Sequence, residues 1–382
     1  MFQDYLDFNN TEDVNDIMIK SIQLNKKPVV VFGCGERGAN VTSLLQSKNV
    51  NVDSYCESSQ YWSDGIVFLG KNVYDVNSLN NYYREANIIV AATGYKIVDY
   101  INDLLKHNTG YEIKSIVKRN QQYTMSANWV LEHENELNHT FNMFDDEFSR
   151  TTFLSFIGAK ANCINHNNII PLIKLWNSRQ YFNELYPRDM FEEHILVDCG
   201  AWIGDSAEDF INFLKDSSKP VLVRAFEMED NNYNELLSVA KKYNNNIICY
   251  RCGVGNKHQT LYYEKNSDAS RVVDYKTEYS VDIVPVDEVL NGDSGKASFV
   301  KMDLEGYERY ALEGMKNLIM NNIPMLAVCV YHKIDDLITI PNIIKEFEQE
   351  SSLNSKFGYK YYLRHHSHNA AELVFYAVPY CR

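Results

Sequence analysis

The stretch Ile195-Leu-Val-Asp198-Cys-Gly200-Ala-Trp-Ile-Gly204-Asp-Ser206 decides how the C-terminal half of the chain folds. It opens on a short apolar run, the signature of a parallel strand buried on both faces. A glycine-bearing turn follows at once, and then a helix predicted from Ser206 to about Leu214. Four further strands are predicted downstream. Val221–Phe226 delivers Glu227, and Ile247–Cys252 leads into Gly253-Val-Gly255. Ala297–Met302 delivers Asp303, and Met325–Tyr331 delivers His332. Tyr359–Arg364 and Glu372–Val378 read as two closing strands. Strands alternating with helices give an α/β fold, and open sheets of this kind bind ligands beyond the carboxyl ends of their strands. Each of these charged residues is predicted at such an end.

Upstream, the same grammar occurs a second time. Pro28-Val-Val-Val-Phe32 is followed by Gly33-Cys-Gly35-Glu-Arg-Gly38, by a helical stretch Ala39–Ser47, and by a strand Val50–Cys56 that ends at Glu57. Apolar runs at Ile88–Ala92 and Ser115–Val117 continue the alternation. Residues 1–125 are therefore predicted to form a Rossmann-like domain. Gly33, Gly35, Gly38 and Glu57 are its candidate nucleotide site, with a diphosphate at the helix start and Glu57 on a ribose. The same turn can equally serve only to pack strand against helix. The spacing to Gly70-Lys-Asn-Val73 resembles small Rossmann-like domains of nucleotide-sugar-modifying enzymes. Residues 126–190 are expected to be a helical connector, with helices at Asn128–Asn138 and Ile169–Tyr186, leading to a second Rossmann-like unit over 191–382.

Composition narrows the class. A hydrophobic fraction of 45% and an aromatic fraction of 13% supply material for sizeable cores. Lys plus Arg number 37 against 51 Asp plus Glu, a net charge of -14 that repels phosphate backbones and anionic membranes. No nucleic-acid partner and no membrane insertion are expected. The first residues lack the basic and apolar regions of a signal peptide, and no apolar run approaches the roughly 18 to 20 residues that span a bilayer. A cytoplasmic location is the expectation. The eight cysteines read as reduced thiols, and Cys249-Tyr-Arg-Cys252 lacks the second ligand pair that a structural zinc site needs.

The charged strand ends specify chemistry. A turn built from Asp198, Gly200, Ala201 and Gly204, with Gly253 after a later strand, leaves backbone N–H groups open to the polar end of a ligand. Glu227 suits the vicinal hydroxyls of a ribose. In Phe299-Val-Lys301-Met-Asp303-Leu-Glu305-Gly306-Tyr-Glu308, a period of two places Lys301, Asp303 and Glu305 on one side of an extended segment. Charges of both signs at a core strand are costly unless paired or used. These three residues and His332 are the candidate catalytic set. Arg364, His365 and Asp335 are the candidate substrate contacts, with the neighbouring His366 and His368 facing solvent.

Taken in order, Asp198-Cys-Gly-Ala-Trp-Ile-Gly204-Asp, Phe226-Glu227, Val300-Lys-Met-Asp303-Leu-Glu-Gly306-Tyr-Glu308 with Ala311-Leu-Glu-Gly314, and Tyr331-His332-Lys-Ile-Asp335-Asp-Leu337 resemble the motifs of FkbM-type methyltransferases. Tyr362-Leu-Arg364-His365-His366, Glu372-Leu-Val-Phe-Tyr376-Ala and the Gln180-Tyr-Phe182 stretch fit as well, so the likeness spans roughly residues 140–380. It implies a class I methyltransferase fold, a seven-stranded sheet with a closing antiparallel hairpin, and S-adenosyl-L-methionine as cofactor at Gly200, Gly204 and Glu227. It also implies O-methylation of a hydroxyl on a sugar or sugar-containing metabolite, in a surface-polysaccharide or natural-product pathway. Met228-Glu229-Asp230 departs from the proline-containing turn usual after the acid.

A base must take the hydroxyl proton, and His332 suits that role by its near-neutral reference pKa, with Asp303 as the alternative. Mg²⁺ held by Asp303, Glu305 and His332 or Asp335 ranks below metal-free catalysis, and no metal ligand is assigned. Two rival functions are an NAD-dependent nucleotide-sugar oxidoreductase or epimerase using the N-terminal glycine turn, and a non-catalytic nucleotide-sugar binding module. The first leaves the Asp198 and Lys301 motifs unexplained, and the second would hold nucleotide-sugars at both Rossmann-like units. The expected partner is a small-molecule or glycan substrate, and a homo-oligomer is compatible with the sequence.

Overall fold

The computed structural model describes residues 6–8, 13–92, 95–116, 125–163, 179–243, 246–264, 271–273, 275–291, 295–367 and 371–382. The chain divides into two compact units that alternate along the sequence. One comprises residues 1–138, 147–180 and 364–373, the other 139–146, 181–363 and 374–382.

In the first unit, helix α1 (Val14–Asn25) starts where the Asp13 carboxylate accepts the N–H of Asn15. Then come β1 (Val29–Phe32), α2 (Glu36–Ser47), β2 (Ser54–Glu57), β3 (Val67–Phe68), β4 (Lys71–Asp75), β5 (Ala86–Val90), α3 (Tyr95–His107) and β6 (Tyr111–Ser115). The sheet order is β3-β4-β2-β1-β5-β6, with β1 parallel to both β2 and β5. Alternation along β1 explains why all four of its residues are apolar. Val29 and Val31 pack into one core cluster, and Val30 and Phe32 into another, as expected of a strand covered on both faces. Helices α4 (Ala127–Glu132), α5 (Glu134–Met143) and α6 (Glu147–Ala161) follow.

The turn after β1 is tight. Gly33 has φ of 116°, and a Cβ on Gly38 would lie 2.1 Å from the Gly33 carbonyl oxygen. Glu57 is spent on the turn itself: Cys34 N–H donates to Oε2 at 3.0 Å and Ser58 N–H to Oε1 at 2.9 Å.

The second unit is built on β7 (His194–Cys199), α7 (Asp205–Phe213), β8 (Val221–Glu227), α8 (Asp230–Ala240) and β9 (Ile247–Arg251). A separate group follows: β10 (Gly253–Val254), β11 (Gln259–Glu264), β12 (Arg271–Val273), β13 (Tyr279–Val284) and the short α9 (Val286–Val289). The chain then returns through β14 (Phe299–Met302), α10 (Glu308–Glu313), α11 (Lys316–Asn322), β15 (Met325–Cys329), α12 (Asp336–Glu350), β16 (Phe357–His365) and β17 (Leu373–Cys381). The main sheet has seven strands in the order β16-β17-β15-β14-β7-β8-β9, with β17 antiparallel to β15. The α/β fold with a seven-stranded sheet and closing hairpin is thus as the sequence implied. Strand order reverses between β7 and β14, so their carboxyl ends open the crevice where such sheets take ligands. Phe182, Tyr186, Phe210 and Phe299 interlock beneath it, with Phe182 centred 5.2 Å from both Phe210 and Phe299.

Three elements differ from expectation. β10, β13, β11 and β12 form a four-stranded sheet that the sequence reading did not foresee. Its alternation is weak, because only residues such as Tyr263, Val281 and Ile283 turn inward to a small core. Much of the helix expected at Ile169–Tyr186 lies outside the described residues. The described part is a turn, with Tyr181 at φ of 61°. The expected strand Val50–Cys56 begins only at Ser54. All eight cysteines are free thiols.

The packing of the N-terminal turn can be tested with a pair of variants. Gly38→Ala should lower stability by about 2 kcal/mol through overpacking against the Gly33 carbonyl. Gly35, whose Cβ would meet nothing within 4 Å, should tolerate alanine at about 1 kcal/mol or less, the loss of a cap preference. Urea unfolding of the two variants reads the difference directly.

Candidate active site

Lys301 is the third residue of β14, and its side chain runs through the core towards the turn after β7. Its Nζ lies 3.2 Å from Asp198 Oδ1 and donates to the Gly200 carbonyl at 2.7 Å. The pair is 6% and 0% exposed at Lys301 and Asp198 respectively. Burial alone would lower the lysine pKa, but the carboxylates of Asp198, Asp303 and Asp205 hold it well above its ordinary range. The other Asp198 oxygen accepts the Ser206 hydroxyl at 2.5 Å. Three successive pieces of structure, β7, the turn and the start of α7, are thereby tied to β14.

The turn itself admits only glycine at two places. Gly200 and Gly204 have φ of 81° and 91°. A Cβ on Gly200 would stand 2.1 Å from the Asp303 carbonyl oxygen, and one on Gly204 would stand 2.9 Å from Leu236 Cδ1. The missing side chains make room for the Asp303 backbone and for α8. Ala201 is fully buried and its N–H donates to the Phe226 carbonyl at 2.9 Å. Glu227, at the end of β8, accepts Trp202 N–H at 2.9 Å and Glu229 N–H at 2.7 Å. Burial raises its carboxyl, against the pull of those amides. The Met228 amide also bonds to it, so about one of its roughly four lone-pair sites remains for a ligand. Trp202 is left 47% exposed on the turn. Gly253 makes space for Ile283, whose Cδ1 would be 2.5 Å from an added Cβ.

Beyond β14 and β15 lies an acidic cluster around one imidazole. His332 Nδ1 is 2.8 Å from Glu308 Oε1, which also accepts Leu304 N–H at 2.8 Å. His332 Nε2 faces Asp303 Oδ1 at 3.5 Å and Glu305 Oε2 at 3.8 Å. The Tyr181 hydroxyl donates to Asp303 Oδ2 at 3.0 Å. Burial would lower the His332 pKa, yet the carboxylates of Glu308, Asp303 and Glu305 prevail and raise it to about 10. The near-neutral value on which its role as base rested does not hold in this setting.

The comparisons with known proteins bear on this arrangement. The family model described as Methyltransferase FkbM domain matches residues 198–361. That segment is a methyltransferase FkbM domain. Among solved structures, the methyltransferase FkbM from Methylobacillus flagellatus KT aligns with a TM-score of 0.55 at 20% identity, covering 94% of this chain and 93% of its own. It establishes a shared fold. A putative rRNA-methylase from Clostridium thermocellum (TM-score 0.33, 11% identity, 53% and 96% covered) and the citrinin polyketide synthase CMeT domain (0.27, 10%, 74% and 78%) are more distant. No curated protein matches the chain.

Within this FkbM domain the structure sorts the predicted residues into separate settings. Asp303, Glu305 and His332 come together. Lys301, predicted as catalytic, instead braces Asp198 and the glycine turn from inside the core. Asp198 is itself fully buried, so its carboxylate faces Lys301 and Ser206 rather than a ligand. Asp335, predicted on substrate, is held by Arg309, whose Nη1 donates to it at 2.9 Å. Arg309 also pairs with Asp336.

Arg364 and His365 belong to the other compact unit. Arg364 donates to the Ser149 hydroxyl at 2.8 Å and lies over the Phe148 ring, and His365 packs near Phe156. His366 is 2% exposed, so the expectation that it faces solvent is overturned, and His368 lies outside the described residues. Two residues received no role from sequence, Glu308 and Tyr181. Both stood inside the quoted motifs, but only folding reveals that they orient His332 and Asp303.

The bracing role of Lys301 has a measurable consequence. Lys301→Met leaves Asp198 charged and uncompensated in the core and should cost about 3–5 kcal/mol. Combining it with Asp198→Leu should recover part of that loss, because neither charge is then stranded. Urea unfolding of the single and double variants measures the coupling.

Proposed function

We propose that this protein transfers the methyl group of S-adenosyl-L-methionine to a hydroxyl oxygen of a sugar or sugar-containing small molecule. The observation that carries the reading is the placement of Glu227, the Asp198–Gly204 turn and the Asp303–His332 cluster at adjacent carboxyl ends of β8, β7, β14 and β15. That is where a doubly wound sheet takes its ligand. Membership of residues 198–361 in the FkbM domain supplies the donor class.

The residues fit such a nucleotide. Glu227 keeps a lone pair for a ribose hydroxyl while its other contacts hold the turn. Trp202 offers an exposed flat surface beside it. When bound, the sulfonium supplies an electrophilic methyl carbon. The cluster can position the acceptor: Asp303 and Glu305 accept hydrogen bonds from hydroxyl groups, which a polyhydroxylated substrate provides in number. Asp303, the carboxylate fixed by Tyr181, is better placed than His332 to take the hydroxyl proton, because an imidazole already protonated at neutral pH has no lone pair to offer. Acceptor and donor must meet in line, and positioning of this kind supplies much of the rate.

Titration calorimetry tests the donor site. S-adenosyl-L-methionine should bind saturably, and Glu227→Ala should weaken it about 10- to 100-fold, the worth of hydrogen bonds to a charged acceptor. Transfer of labelled methyl to sugar hydroxyls, analysed by mass spectrometry, tests the acceptor. A labelled product on nitrogen or carbon would refute oxygen as the target.

A further inference from the structure

Among the described residues of the FkbM domain, His332 is the one imidazole surrounded by carboxylates, and the arrangement is not that of a simple ion pair. Its side chain is 7% exposed. Nδ1 is engaged by Glu308, so Nε2 is the atom turned towards Asp303 and Glu305. Nε2 makes no hydrogen bond although it is buried. The gaps of 3.5 Å to Asp303 Oδ1 and 3.8 Å to Glu305 Oε2 are too wide for hydrogen bonds. One donor atom from each of the three residues lies within 4.8 Å of the other two.

We propose that Asp303, Glu305 and His332 bind a single divalent first-row transition-metal ion of the Mn²⁺ type. Two carboxylates and one imidazole nitrogen form a mixed O/N set of the kind such ions take, whereas Mg²⁺ prefers oxygen throughout. Two negative charges balance the ion, which displaces the Nε2 proton of the otherwise protonated imidazole as it binds. The surroundings are those of a metal site rather than of an isolated histidine. Glu308 accepts a hydrogen bond from Nδ1–H and so fixes the tautomer that leaves Nε2 as ligand, the carboxylate–histidine arrangement common behind bound metals. Tyr181 binds Asp303 Oδ2 and leaves Oδ1 facing His332. Glu305, at φ of 52° and 43% exposed, is the arm able to close on the ion.

This assignment departs from the order favoured by sequence, which placed metal-free catalysis first. Spacing along the chain could not show that the unsatisfied nitrogen points between two carboxylates. The use of the ion rests on the methyltransferase reading. With the ion bound, Asp303 serves as ligand instead of base, and a substrate hydroxyl on an open coordination position would lose its proton to solvent water. Its oxygen would then form the O–C bond as the C–S bond breaks, with the electron pair remaining on sulfur.

The test uses the full chain and Mn²⁺ alone, without nucleotide. Electron paramagnetic resonance should show uptake of one Mn²⁺ per chain, with electron spin-echo modulation from a single imidazole nitrogen. Glu305→Gln, at a half-exposed position, should weaken uptake at least tenfold. Glu308→Gln should weaken it about 10- to 100-fold and keep the nitrogen signal. His332→Gln should remove that signal, with circular dichroism checking the fold of each variant. Absence of uptake, uptake unchanged in Glu305→Gln, or uptake without nitrogen coupling would overturn the proposal. Nucleotide titration is read separately: a chain that binds nucleotide but no Mn²⁺ refutes the metal site alone, and the converse refutes the donor reading alone.

Discussion

A single buried ion pair organises the catalytic unit. Lys301 reaches from β14 to Asp198 on β7 and to the Gly200 carbonyl, across the point where strand order reverses. Isolated in the core, either charge would be expensive. Together they force the turn between β7 and α7 to sit against the end of β14, within contact distance of the Asp303 backbone. The turn proposed to hold the donor and the strand end proposed to meet the acceptor are thus tied to each other through Lys301. Residues that looked catalytic from their charge alone serve here as a brace, and they set where the reactive groups stand.

The two glycine turns of the chain illustrate how similar sequence grammar yields similar internal economy. In each, the acid at the end of the second strand accepts a backbone N–H of the turn: Glu57 from Cys34, and Glu227 from Trp202. In each, a later glycine is required by the close approach of the protein to itself, at Gly38 and Gly204. A glycine turn followed by an acid therefore reports a folding solution first. What distinguishes the second turn is its neighbourhood, where Asp303, Glu305 and His332 gather beyond the adjacent strands.

Much of this was legible in the sequence. The apolar runs of β1, β7, β14 and β15 are short but dominated by apolar residues on both faces, because both faces are covered, so the parallel sheets and their order of motifs could be read directly. The gathering of Asp303, Glu305 and His332 was legible for the same reason, since each follows a readable strand. The small four-stranded sheet was not, because half of its positions face outward and its core is slight. Nor was the state of His332, since a pKa depends on which carboxylates surround the ring in three dimensions. The pairing of Asp198 with Lys301 was not legible either: the sequence showed only that charges at a core strand must be paired or used, and the partner appears only when β7 and β14 lie side by side.

The account stands or falls on a sulfonium nucleotide being held by the turn after β7 and by Glu227. Native mass spectrometry of the protein, as purified and after incubation with S-adenosyl-L-methionine, tests this most directly. The prediction is one nucleotide retained per chain, as the donor or its demethylated product, and lost in Glu227→Ala. A chain that remains bare at saturating nucleotide, or a Glu227→Ala variant that retains it fully, would contradict the account.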